Sequence, residues 1–93
     1  MQRNELYEAI AVKYGQSHQE AVAIGELGEL ANALSKSLRG IPNRMSICEE
    51  VADVEICIEQ IKRFYDKDGK SVASFKAFKL NRLRLFYIEG SDK

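Results

Sequence analysis

The run Ser46-Ile47-Cys48-Glu49-Glu50-Val51-Ala52-Asp53-Val54 decides how the rest of the chain is read. Ser46 followed three places on by Glu49 is a capping-box signature, and it predicts a helix that continues to about Tyr65. Ile47, Val51, Val54, Ile58 and Ile61 recur at helical spacing and define an apolar stripe. Projected at about 100° per residue, Glu50 falls inside that stripe and Asp53 at its edge, whereas Glu49, Glu55 and Glu59 fall outside. Glu49 therefore belongs to solvent or to the cap. No base stands four places beyond Glu50 or Asp53, where Val54 and Cys57 follow. A carboxylate among apolar neighbours without a partner is costly.

The same arrangement occurs upstream, in Gly25-Glu26-Leu27-Gly28-Glu29-Leu30. Glu26 and Glu29 share a helix face at i, i+3, and Leu30 and Ala33 stand where basic partners would be. They flank a stripe of Ile24, Leu27, Leu30, Ala31, Leu34 and Leu38. Gly25 and Gly28 weaken a helix by about 1 kcal/mol each relative to alanine. They suit a place where another helix or a ligand comes close, or they are simply tolerated. Ser17-His18-Gln19-Glu20 is a second capping-box signature, opening a helix that ends near Leu38, before Gly40-Ile41-Pro42.

Working outward, Asn4 to Tyr14 reads as a first helix with Leu6, Ile10 and Tyr14 on one face, closed by Gly15. Asp66-Lys67-Asp68-Gly69 is a turn by composition; it lacks the further oxygen ligands of a calcium loop. Ser71 to Tyr87 reads as the last helix, before a short polar tail. With no alternating run suited to a strand, residues 1–93 are expected to form a single all-α domain of four helices.

Formal net charge is zero, so no global field draws the chain to a nucleic-acid polymer or a membrane. The distribution is uneven, however. Glu20 to Glu59 holds eight acids and three bases, and Gln60 to Ile88 holds eight bases and two acids. No signal peptide or membrane-spanning run is evident, which points to the cytoplasm. Cys48 and Cys57 share a helix about 13 Å apart along its axis, too far for a disulfide, and read as small buried thiols. A chain this short must also cover Ala52, Ile56, Phe64, Phe75, Phe86 and Tyr87, which predicts a homodimer or homotetramer.

Glu26, Glu29, Glu50 and Asp53 on neighbouring helices would repel one another, so a cation should sit among them. Oxygen donors without histidine or thiolate suit a hard divalent ion: Mg²⁺, with Mn²⁺ as a substitute. Zinc and the di-iron bundles are disfavoured, because the only histidine is His18, a polar residue at a helix start.

The two acidic motifs, in this order and about twenty residues apart, resemble the paired E-x-x-E and E-x-x-D motifs of the MazG-like all-α nucleotide pyrophosphohydrolases. The resemblance runs from about Gln16 to Tyr65 and continues more weakly through the last helix. It implies a four-helix MazG-like bundle, completed by oligomerisation. It also implies Mg-dependent hydrolysis of a nucleoside triphosphate, a deoxynucleotide or non-standard one included, to the monophosphate and pyrophosphate. Carried over by position, Glu26, Glu29, Glu50 and Asp53 would be metal ligands, with Glu26 also activating the water. Lys79-Leu80-Asn81-Arg82-Leu83 is similar to a basic segment in short members, so Lys79 and Arg82 are expected to contact phosphate, while Phe78, Leu80 and Leu83 face the core. Gly25 stands where many members carry a further acid, and the last helix lacks the Lys-x-x-x-Asn pattern of some branches. Metal number and base preference therefore stay open. Two alternatives remain beside this reading: a phosphoribosyl-ATP pyrophosphohydrolase, and a non-catalytic helical interaction module of the same fold.

Overall fold

A computed structural model describes residues 1–88 and 90. The chain is all-α, with α1 at Arg3–Leu38, α2 at Arg44–Tyr65 and α3 at Lys70–Tyr87. Most of the expected polar tail lies outside the described residues. The first two expected helices are arms of α1, joined through Gly15 at φ 84° and ψ 168°. That conformation is open in practice only to glycine. The contacts with α2 reveal a reversal at this point. Before Gly15 they ascend together: Arg3 and Tyr7 reach Glu59, and Glu8 pairs with Arg63. After Gly15 they descend: Glu20 meets Tyr65, Glu26 lies with Glu50 and Asp53, and the Ala33 carbonyl meets Asn43. The short arm thus runs back along α2 while the long arm lies antiparallel to it. Tyr14 and His18 stack across the bend, ring centroids 4.8 Å apart. Ser17 lies within the helix, so the capping box expected there does not form.

The long arm ends in a Schellman motif. Gly40 N–H donates to the Ser37 carbonyl at 2.9 Å and Ile41 N–H to the Lys36 carbonyl at 3.1 Å, with Gly40 at φ 86°. After Pro42, Asn43 takes the N-cap position of α2, and its side chain donates to the Ala33 carbonyl at 2.9 Å. α2 therefore starts three residues before the sequence signature, leaving Ser46 and Glu49 inside the helix rather than in a capping box.

The seam between the long arm and α2 corrects the expected stripe. Gln19, Ala23, Glu26, Leu30 and Ala33 turn inward from α1; Ile47, Glu50, Val54, Cys57 and Ile61 meet them from α2. The 4-3-4-3 spacing is that of knobs-into-holes packing, and alanine and cysteine let the backbones approach. The more apolar stripe of α1 looks outward, with Ile24 71% exposed, Leu27 52% and Leu38 90%. Val51 and Ile58 are likewise exposed on α2, and Cys48 is exposed rather than buried. The acid-bearing face is inside.

At the α2–α3 turn, the Asp66 carboxylate accepts from Ser71 N–H at 3.1 Å and Val72 N–H at 2.8 Å, while Asp68 accepts from Lys70 N–H at 2.9 Å. Gly69 completes the turn at φ 75°. These local bonds cap the first turn of α3, which packs on neither α1 nor α2. Phe78, Leu80 and Leu83, expected in the core, are consequently exposed, with Phe78 at 63%. The radius of gyration is 16.7 Å, against about 12 Å for a compact chain of this length.

Candidate metal centre

Seam packing brings Glu26 of α1 and Glu50 and Asp53 of α2 together, one oxygen from each lying within 4.8 Å of the others. All three side chains are half-buried. Glu50 sits deepest: its Oε1 is buried and has no hydrogen-bond partner. Desolvation pushes the Glu50 carboxyl above its ordinary range, and the charges of Glu26, Glu29, Asp53 and Glu49 push the same way. Cys57, one turn further along the seam, has its thiol raised by burial first and then by Glu26 and Asp53. Every group that shifts Glu50 is acidic. Three carboxylates this close repel one another unless one holds a proton or a cation lies among them.

Oxygen donors around Mg²⁺ stand about 2.1 Å from the ion, so opposite ligands are about 4.2 Å apart. The three carboxylate oxygens lie within 4.8 Å of one another, a bound a little wider than that span, and the partnerless Glu50 Oε1 is the kind of atom a cation would satisfy. Glu29 is exposed and outside this set, close enough to raise Glu50 but not joined with the other three. Glu49 is exposed, as its position on the projected helix requires.

Lys79 and Arg82 are not brought to the acids within one chain. They lie on α3, which stands clear of the seam; Arg82 places its guanidinium 5.8 Å from the Phe78 ring. Sequence reasoning missed the polar contacts flanking the seam. Tyr7 Oη donates to Glu59 at 2.6 Å, and Arg3 pairs with the same carboxylate at 3.4 Å. Burial, then this acceptor, raise the Tyr7 hydroxyl pKa. Tyr65 donates to Glu20, which also accepts from Gln16 at 2.9 Å, and the two bonds hold the Glu20 carboxyl below its usual range. Apart from the local Gln16–Glu20 bond, these contacts join residues 45 or more apart, so no local spacing announces them. Among the described residues, no helix is long and apolar enough to cross a membrane. Comparison with models of known protein families, with curated proteins and with solved structures found no match.

Proposed function

We propose that the chain is a Mg-dependent nucleoside triphosphate pyrophosphohydrolase of the MazG-like kind, working as a homodimer or homotetramer. The observation that carries this reading is the buried, partnerless oxygen of Glu50, on a carboxyl that lies together with those of Glu26 and Asp53. Glu50 and Asp53 fix the floor of the centre from one rigid helix, and Glu26 closes it from the other. Magnesium, when bound, neutralises phosphate oxygens and lowers the pKa of a water. Glu26 takes a proton from the attacking water as its oxygen bonds to phosphorus. The phosphoanhydride bond between the α and β phosphates then breaks, and pyrophosphate leaves with the electron pair. Glu29, at the exposed rim, is placed to complete the set once substrate and ion are present. Lys79 and Arg82 offer donors to phosphate.

The test is pyrophosphate release from a panel of nucleoside and deoxynucleoside triphosphates, with and without Mg²⁺ or Mn²⁺. Metal-dependent release by the wild type and its loss in Glu50→Gln are expected. No release from any triphosphate under either metal would refute the reading.

A further inference from the structure

α3 carries Lys70, Lys76, Lys79, Arg82 and Arg84, and no acid between Lys70 and Tyr87. A zero net charge removes a global field, but not the local one of a helix that stands clear of α1 and α2. Phe75, Phe78, Lys79, Arg82 and Phe86 recur at i, i+3, i+4, i+7 and i+11, which places them within an arc of about 100° on α3. The rings are open to solvent, with Phe75 65%, Phe78 63% and Phe86 43% exposed. The Arg82 guanidinium, 5.8 Å from the Phe78 ring, shares the face with it. A concavity of about 320 Å³ opens towards the end of the strip, lined by Arg82, Leu83, Phe86 and Tyr87. Val72, Leu80, Leu83 and Tyr87 form a separate apolar stripe about a third of a turn away, so covering that stripe leaves Phe75, Phe78 and Arg82 open.

We infer that this strip is a docking surface for single-stranded nucleic acid, with bases stacking on Phe75, Phe78 and Phe86 and backbone phosphates held by Lys79 and Arg82. The pattern of the strip chooses the occupant. Rings interleaved with cations answer the bases and phosphates of an unpaired strand, and stacking is indifferent to which base is present. A protein groove laid on this face needs apolar anchors at i, i+3, i+4 and i+7. There α3 offers Phe75, Phe78, Lys79 and Arg82, and such a groove would bury two unpaired charges. A membrane surface needs one apolar face opposite one basic face, whereas the five bases are spread around α3. A duplex keeps the faces of its bases from the rings. From Phe75 to Phe86 the strip is about 16 Å long, room for no more than about five stacked nucleotides. The inference does not rest on the pyrophosphohydrolase reading.

The test is fluorescence anisotropy of labelled short oligothymidine and oligouridine with the full chain, in EDTA and from about 50 to about 200 mM salt. Chelation keeps metal-bridged phosphates out of the carboxylate centre. The wild type should bind at least one of the two strands more tightly than a duplex of equal length, and the tighter strand tells DNA from RNA. Phe75→Ala and Phe78→Ala should each weaken binding by about 5- to 150-fold and leave its salt dependence unchanged. Phe78→Leu keeps the bulk without the ring and should lose affinity like the alanine variant. Lys79→Gln combined with Arg82→Gln should lower the slope of log affinity against log salt by about 1.4. Glu50→Gln should bind as wild type does. No binding of either strand, equal binding of the duplex, or unchanged affinity in the phenylalanine variants would overturn the inference. Loss of binding in Glu50→Gln would overturn it too, by moving the strand to the carboxylate centre. So would tighter binding of polyglutamate or of phosphatidylserine vesicles, which would give the strip to an acidic protein or to a membrane. Because no triphosphate enters the assay, its outcome is separate from that of the pyrophosphate-release test.

Discussion

Replacing Gly15 tests the reversal on which the acid seam depends. At φ 84° and ψ 168° an L-residue is strained by about 1–3 kcal/mol. A Cβ built at Gly15 meets nothing within 4 Å, so the penalty is one of backbone torsion and not of collision. The two effects separate by chirality. For D-alanine the same backbone is the mirror image of the extended region that L-residues adopt freely. Alanine in its L form should therefore lower the melting temperature by roughly 4–24 °C, taking about 4–8 °C per kcal/mol for a domain near this size. D-Alanine, introduced by chemical ligation, should leave it unchanged or raise it by a few degrees, because it restricts the unfolded chain. Melts followed by far-ultraviolet circular dichroism at one fixed protein concentration provide the assay, since any assembly would make the midpoint depend on concentration. Equal losses with both alanines would mean that space rather than torsion limits the site, and would refute the reversal as described.

Metal-free Glu50→Gln should be more stable than wild type at neutral pH and lose any thermal response to Mg²⁺. The folded-state pKa of Glu50 is raised, so its protonated form stabilises the fold fully below the unfolded value and that contribution is lost as pH rises through the folded value. Melts across that window should show a slope in wild type that the glutamine variant lacks; identical slopes would remove the desolvated carboxyl from the account. In pyrophosphate release, Glu26→Gln and Asp53→Asn should be as inactive as Glu50→Gln, and Glu29→Gln strongly impaired. Glu49→Gln should keep most activity and, lying inside α2 rather than in its cap, cost under about 0.5 kcal/mol in a urea titration. Gly28→Ala should stabilise the chain by about 1 kcal/mol, since nothing lies within 4 Å of its Cβ. A loss in the same titration would show that a second chain or a ligand approaches there.

Much of the fold was legible because helix breaks have local causes. Gly15, the Gly40-Ile41-Pro42 break and the Asp66–Gly69 turn each interrupt the chain where composition placed them. The caps were less legible. Asn43 displaced the Ser46 signature because it follows Pro42 and reaches the Ala33 carbonyl, a partner ten residues away. The phase of α2 correctly separated Glu50 from Glu49, because an acid inside an apolar stripe has one direction to point. The long arm misled for the opposite reason. Its most apolar face, through Ile24, Leu27 and Leu38, was assigned to the chain's own core, whereas Ala23 and Ala33 allow the closer approach and took the seam. Hydrophobic amount alone does not say which face of a helix packs against its own chain. The distance of Lys79 and Arg82 from the acids was invisible for the same reason, since periodicity within α3 carries no information about what α3 touches.

The capping of α3 by Asp66 has a kinetic consequence. Because its first turn is fixed by bonds confined to residues 66–73, the helix does not wait for an interface before taking its direction. Any partner that engages α3 would meet a preformed surface, with little ordering entropy left to lose on encounter. Binding of an acidic partner to this basic helix should accordingly fall in the ordinary range for rigid proteins, about 10⁵–10⁷ M⁻¹s⁻¹, and slow as added salt screens the attraction.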